Sequence, residues 1–216
     1  MLLSVTNIYL IRHGESKANE INVFLGHGDL DLTQKGYLQA QKTADFLKDI
    51  PADVIYSSDL QRAYHTAQCT AKCKNMQVIT NPNLREIFAG EWEFKSFEDL
   101  ITYFKEDFLL WVSNIGRAGC TGGETVLQLQ KRFVDEVEKL ATENEGKTIF
   151  IFTHATPIRV LKAAWDQKAV DEIKEIPWAS NASVTHAQCV DGVFSVVEYS
   201  LDHFMGDMVT ALPDNV

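Results

Sequence analysis

Four residues give this sequence its capacity for chemistry. Arg12 and His13 follow the apolar run Ile8-Tyr9-Leu10-Ile11, Arg62 lies just past Val54-Ile55-Tyr56-Ser57-Ser58, and His154 follows the run from Thr148 to Thr153. Singly, each has a plain explanation: a lone histidine is more often structural than catalytic, and Arg62 stands opposite an apolar helical stripe, as a solvated charge would. Together they are harder to dismiss, because three apolar runs each lead into a basic residue. Two arginines and two histidines attract an anion and repel a metal cation, and guanidinium forks match phosphate oxygens bidentately. Positive neighbours push a histidine below its usual pKa of ~6.5 and leave the imidazole neutral. A neutral imidazole facing a bound phosphate can attack phosphorus and become a phosphohistidine. The leaving group then needs a proton. Glu86, in Leu84-Arg85-Glu86-Ile87, is a candidate general acid, with a surface charge or a partner of Arg85 as the plainer reading.

The elements needed to bring these residues together can be read from hydrophobic periodicity. Strands are expected at 8–11, 54–56, 78–79, 148–153, 183–188 and 193–199, the last two joined by an Asp191-Gly192 turn. A helix over 33–48 is capped by Thr33 and carries Tyr37, Ala40, Ala44 and Leu47 on one face. The next is expected to open on a capping box of Ser58 and Gln61, with Leu60, Ala63, Tyr64, Ala67 and Ala71 as its stripe. Val126, Leu129, Phe133, Val137 and Leu140 mark a long amphipathic helix, and Thr156-Pro157 starts another, with Pro at the first helical position. Strands alternating with helices predict a three-layer α/β/α sandwich with a largely parallel central sheet. In such sheets ligands gather at the carboxyl ends of the strands, which is where the basic residues stand. Residues 88–124 break the rhythm. They read as a helical, aromatic-rich, lid-like insertion over that edge of one domain spanning 1–216.

Composition narrows the function classes. Among 216 residues, 45% are hydrophobic and 23% charged, as in folded globular chains. A net charge of -10 disfavours nucleic acid or an anionic membrane as partner. No apolar run is long enough to span a bilayer, and Met1 to Asn7 lacks the regions of a signal peptide. Cys69, Cys73, Cys120 and Cys189 form no CxxC pair. They read as free thiols in a reducing compartment, so a cytoplasmic location is expected, with no metal and no cofactor.

The motifs also resemble those of a known family. Arg12-His13-Gly14-Glu15-Ser16 with Asn19, Ser57-Ser58-Asp59-Leu60-Gln61-Arg62-Ala63 with Thr66-Ala67, Leu84-Arg85-Glu86 with Gly90 and Trp92-Glu93, and Thr153-His154 with Ile158-Arg159 resemble, in order, the four signatures of the histidine phosphatase, or phosphoglycerate mutase-like, superfamily. The resemblance implies that His13 is the phosphorylated nucleophile. It implies that Arg12, Arg62 and His154 hold the phosphoryl oxygens and that Glu86 is the proton donor. Asn19, the backbone of Gly26 and the N–H of Ala155 would touch phosphate or substrate. The sequence departs from the family where Ala155-Thr156 and Phe94 stand at positions that often hold glycine.

The function so implied is hydrolysis of a small phosphate monoester by a metal-independent phosphatase, with the oligomeric state left open. A cofactor-dependent phosphoglycerate mutase is the alternative within enzymes, and a non-catalytic regulatory or binding module is the alternative outside them. Residues 91–124 hold three basic against seven acidic residues, a local charge of -4, which argues against the highly anionic substrate of a mutase. A single amphipathic helix over 97–111 would turn Phe97, Leu100, Ile101, Phe104, Phe108 and Trp111 toward the sheet, leaving Trp92, Phe94 and Tyr103 for the pocket mouth. Such walls suit a leaving group that is bulky or apolar and weakly charged.

Overall fold

A computed structural model describes residues 4–210; Met1 to Leu3, part of the amino-terminal stretch discussed above, lie outside them. The strands are β1 (Val5–Arg12), β2 (Val54–Ser57), β3 (Val78–Thr80), β4 (Thr148–Thr153), β5 (Val184–Val190) and β6 (Val193–Leu201). They form one sheet in the order β3-β2-β4-β1-β5-β6. The pairs β2–β3, β2–β4 and β1–β4 are parallel, while β5 runs antiparallel to both β1 and β6. The mixed α/β architecture and largely parallel sheet are as expected. Asp191 and Gly192 join β5 to β6 with φ of 49° and 80°, the left-handed backbone that a two-residue hairpin turn demands.

Alternation along β1 and β4 divides their side chains between two cores. Ile8, Leu10, Ile149 and Ile151 face one, and Ile11, Phe150 and Phe152 face the other. The helices are α1 (Lys17–Glu20), α2 (Gln34–Leu47), α3 (Gln61–Lys74), α4 (Phe97–Tyr103), α5 (Lys105–Ser113), α6 (Val126–Glu143) and α7 (Ala155–Trp165). Helices α2 and α3 cover the second core with Leu47, Ala67 and Ala71, while α6 and α7 cover the first with Leu129, Phe133, Ile158 and Leu161.

Several local expectations are corrected. Tyr37 is not in the buried stripe of α2; its hydroxyl donates to Asp31 (3.0 Å), and Gln39 and Thr43 are buried beside Ala40 and Ala44. Ser58 does not cap α3. The N-cap is Leu60 with no side-chain bond, and Asp29 accepts from the N–H of Gln61 at 2.8 Å. Ser58 stands two residues before the N-cap, where its hydroxyl meets His154 and the N–H of Leu60, and a long-range acid serves the first helical N–H instead. Helix α7 starts at Ala155, so Pro157 is its third residue, still within the turn that has no N–H partners inside the helix. The 97–111 helix is two helices, broken at Phe104 with φ -129° and ψ 36°. Trp92 is fully buried in the first core, edge-on to Phe24, Phe108 and Trp111, with its indole N–H donated to Thr121. Phe94, Ile101 and Tyr103 are exposed to solvent.

Candidate active site

The order β2-β4-β1 sets three carboxyl ends side by side, with Arg12 opposite Thr153 and Ser57 opposite Phe152. His13, Ser58 and His154 follow directly, and the His13 and His154 rings lie 5.2 Å apart, edge to face. The turn after β1 is tight. Gly14 packs on Gly36 of α2, where a Cβ would meet the Gly36 carbonyl oxygen. The Gly14 N–H donates to Thr66 of α3 at 3.1 Å. His13 is thereby held at the foot of a cleft, buried but not sealed.

The ring of His13 has a defined proton position. Its Nδ1 lies 2.7 Å from the carbonyl oxygen of Gly14, and a carbonyl only accepts, so Nδ1 carries the hydrogen and Nε2 keeps its lone pair. Burial, then Arg62 and Arg12, hold its pKa well below the usual imidazole value. The ring is neutral at physiological pH, with an available lone pair on Nε2.

Arg62 is 2% exposed, so it is no solvated charge. Its Nη1 donates to Gly28 O (2.9 Å), its Nη2 to Gly26 O (2.7 Å) and its Nε to Nδ1 of His154 (3.2 Å). Of the five N–H groups on a guanidinium, one on each terminal nitrogen is left over, a fork for an anion. The loop that holds it is itself pinned: the carboxylate of Glu93 accepts from the N–H groups of Gly26, His27 and Gly28 at 3.0, 2.6 and 3.0 Å. Since Nδ1 of His154 accepts from Arg62, its Nε2 carries the hydrogen and donates to Ser58 Oγ at 2.9 Å. Burial, then Arg62, His13 and Arg12, keep this ring neutral too.

Arg12 donates through Nη1 to the carbonyl of Ala179 at 2.6 Å, and its buried Nε has no partner among the described residues. Burial lowers the pKa of each arginine only to about 10, so both stay charged at neutral pH. Glu86 is buried at the same end of the sheet. Its Oε1 accepts from the N–H of Ile87 (2.8 Å) and its Oε2 from the N–H of Thr156 (3.2 Å). Burial raises its pKa against the opposing pull of these bonds and of Arg62. A neutral imidazole, two cationic forks and a carboxyl with raised pKa form a set able to bind a phosphoryl group, attack it and supply a proton. Among the described residues, no cluster of His, Cys, Asp or Glu could hold a metal ion.

Two adjoining cavities open here. The smaller, about 80 Å³, is lined by Arg12, His13, Ser16, Arg62, Glu86 and Ala155, among others. The larger, about 180 Å³, shares Arg12, Asn19, Glu86 and Ala155 with it and adds Phe24, Phe97, Trp111, Trp178 and Asn181. The cluster expected from sequence is therefore gathered in one place, with three differences. His154 lines neither cavity and stands behind Arg62. Gly26 lines neither, because its N–H is spent on Glu93 and its carbonyl on Arg62. The aromatic walls are Phe24, Phe97, Trp111 and Trp178, not Trp92, Phe94 and Tyr103. The acids of the insertion do not line the larger cavity either: Glu93 serves the loop, Glu124 pairs with Arg132 at 2.8 Å, and Asp99 caps α4. Sequence reasoning missed Glu93 and Asn181 as parts of this site. Asn181 precedes β5, which is antiparallel to β1, so that its amino end lies beside the carboxyl end of β1; the pairing of Ile11 with Val184 fixes this.

The comparisons agree with one another. The model of the histidine phosphatase superfamily (branch 1) matches residues 8–202. Phosphoserine phosphatase 1 of Hydrogenobacter thermophilus is 32% identical over 160 residues, covering 74% of this chain and 76% of that one. Adenosylcobalamin/alpha-ribazole phosphatase of Escherichia coli is 30% identical over 156 residues, covering 72% and 77%. The solved structure of YhfR from Bacillus stearothermophilus superposes with a TM-score of 0.88 at 28% identity, covering 92% of this chain and 99% of that one.

Proposed function

Since the chain belongs to the histidine phosphatase superfamily (branch 1) and is a phosphatase acting on small phosphate monoesters, we propose that His13 carries the phosphoryl group between two displacement steps. The phosphoryl oxygens sit in the smaller cavity between Arg12 and Arg62, beside the first turn of α7, where Ala155 adds its N–H and the positive end of the helix dipole. Nε2 of His13 attacks phosphorus as the ester P–O bond breaks, and Glu86 gives its proton to the departing alcohol oxygen. Water then attacks the phosphohistidine, its proton passes to the Glu86 carboxylate, and inorganic phosphate leaves with His13 neutral again. The observation that carries this reading is the hydrogen bond from His13 Nδ1 to Gly14 O, which leaves Nε2 with its lone pair beside two buried guanidinium groups.

In this scheme His154 and the carbonyl of Gly26 are positioning groups for Arg62, and Asn19 borders both cavities. Residues 88–124 form the lid-like wall of a single phosphatase unit, and the alcohol part of the substrate occupies the larger cavity. That cavity holds no charged side chain besides Arg12 and Glu86, which favours a neutral alcohol over the second anionic group of a mutase substrate. A cytoplasmic site of action belongs to the same proposal, supported by four unbridged cysteines. The net charge of -10 favours small esters over nucleic acid as partners.

The test is a panel of phosphate monoesters assayed with chelator present, with phosphoglycerate mutase activity run alongside. Release of phosphate from neutral-alcohol esters without mutase activity is expected. Dependence on metal, or turnover confined to phosphoglycerate isomerisation, would reject the proposal.

A further inference from the structure

Asn181 is 1% exposed and borders the larger cavity. The orientation of its amide follows from its neighbours. Asn19 Oδ1 accepts from the backbone N–H and the hydroxyl of Ser16, both at 3.0 Å, so that atom is the oxygen. The nitrogen end of Asn181 lies 3.3 Å from that oxygen and 3.2 Å from the carbonyl oxygen of His13. Two acceptors facing one end of an amide require the NH2 there. The other end is therefore Oδ1, and it has no donor among the described residues. Buried carbonyl oxygens are rarely left so. The same cavity is lined by Trp111 and Trp178, whose buried indole N–H groups also lack acceptors among the described residues. An acceptor and two donors, each buried without a partner on a side chain that lines this aromatic chamber, match a hydroxyl group, which both donates and accepts.

We propose that Asn181 is a specificity-determining residue that accepts a hydrogen bond, through Oδ1, from a hydroxyl of the substrate other than the esterified one. The preferred substrate class is then the phosphate monoester of a neutral polyhydroxy alcohol. A simple alkyl ester leaves Oδ1 buried and unpaired in the complex, and a site built to bond a hydroxyl discriminates against the analogue lacking it. The proposal rests on the phosphatase reading above, with the alcohol in the larger cavity.

The test compares kcat/KM for glycerol 1-phosphate and n-propyl phosphate, with p-nitrophenyl phosphate as a monitor of the phosphoryl chemistry. The wild type should favour the glycerol ester by about fivefold or more, the worth of one neutral hydrogen bond. Asn181→Ala should bring the ratio near one, whatever it does to the absolute rates through the lost bond to His13. Circular dichroism checks that this variant folds. If it does not, Asn181→Ser keeps a donor near the His13 carbonyl, withdraws the oxygen from the cavity and should show the same collapse. A wild-type ratio near one, or a preference that survives in the folded variant, overturns the role of Asn181. Absence of all hydrolysis by the wild type, p-nitrophenyl phosphate included, overturns the phosphatase reading instead.

Discussion

Nε of Arg62 donates to Nδ1 of His154 across 3.2 Å. The bond exists only while His154 is neutral at that nitrogen, and it makes the histidine one of three supports that aim the guanidinium; the carbonyls of Gly26 and Gly28 are the others. Lysine offers one ammonium on a flexible stem and cannot reach three acceptors while presenting a fork. Arg62→Ala is expected to lower kcat by about 10² to 10³, as for loss of one preorganised donor. Arg62→Lys should recover only part of this in steady-state kinetics, and full activity in the lysine variant would remove Arg62 from the site.

His13→Ala is expected to reduce turnover by on the order of 10⁴ or more, as for other covalent nucleophiles. Circular dichroism should show an intact fold, because the ring lies at the foot of a cleft. Mixing the wild type with substrate and quenching in base should leave an acid-labile phosphoryl group on His13, located by peptide mass spectrometry. A phosphoryl group on serine, cysteine or aspartate would reassign the nucleophile.

The pKa directions set a pH profile. His13 and His154 are held neutral well below pH 6.5 by burial and by the arginines, so the acid limb of kcat/KM should lie well below that value. The alkaline limb should reflect loss of the Glu86 proton, whose pKa is raised by burial. Glu86→Gln should flatten that limb for an alkyl monoester and slow it far more than p-nitrophenyl phosphate, whose leaving group needs little protonation. Stability follows the same signs. The unfolded chain protonates His13 and His154 near pH ~6.5 and the folded one does not, so Tm should fall as pH drops through that value.

Glu93 touches neither cavity, yet it holds the loop whose carbonyls hold Arg62. Glu93→Ala is expected to lower kcat about tenfold by loosening that loop. A purely structural defect would add to the loss in Arg62→Ala, whereas a positioning residue should cost little more once Arg62 is gone. The double-mutant cycle measures the difference, since residues in one network are coupled by about 0.5–3 kcal/mol.

How far the site is legible in sequence depends on strand direction. Arg12, His13, Arg62 and His154 follow the carboxyl ends of strands that run parallel, so alternation of strands and helices suffices to bring them together. Asn181 comes to the same edge from the start of an antiparallel strand, and no periodicity announces that reversal. Glu93 is one acid among many until the fold brings residues 26–28 beside it. Ser58 carries the local pattern of a helix cap, but the helix begins at Gln61 after Leu60, and the Ser58 hydroxyl meets His154 of a distant strand end instead. Trp92 precedes α4, so a helical-face argument leaves it free, while its contacts with Phe24, Phe108 and Trp111 bury it.

Those contacts decide which aromatics face the substrate. Phe97 and Trp111 line the larger cavity, whereas Tyr103 stands 73% exposed. Trp111→Ala should therefore raise KM for bulky esters more than for ethyl phosphate, and Tyr103→Ala should change neither. Trp111 also packs on Trp92 within the first core, so a thermal melt must accompany the assay to separate a wider pocket from a weakened core; truncating a core Trp costs about 3–5 kcal/mol. The same cavity offers a second anion only Arg12, which the proposed scheme assigns to the phosphoryl oxygens; no acid of the insertion lines it, and Glu93, Asp99 and Glu124 are tied to backbone N–H groups and to Arg132. Its selectivity must come from the absence of a cationic partner and not from repulsion at a rim. A missing partner leaves a carboxylate desolvated and unpaired, so 3-phosphoglycerate should be hydrolysed more slowly than glycerol 1-phosphate, with the difference in KM. Introducing a cation at the chamber wall, as in Asn22→Lys, should narrow that gap. A tenfold preference of the wild type for phosphoglycerate would show that the chamber recruits a positive group from elsewhere and would favour the mutase reading.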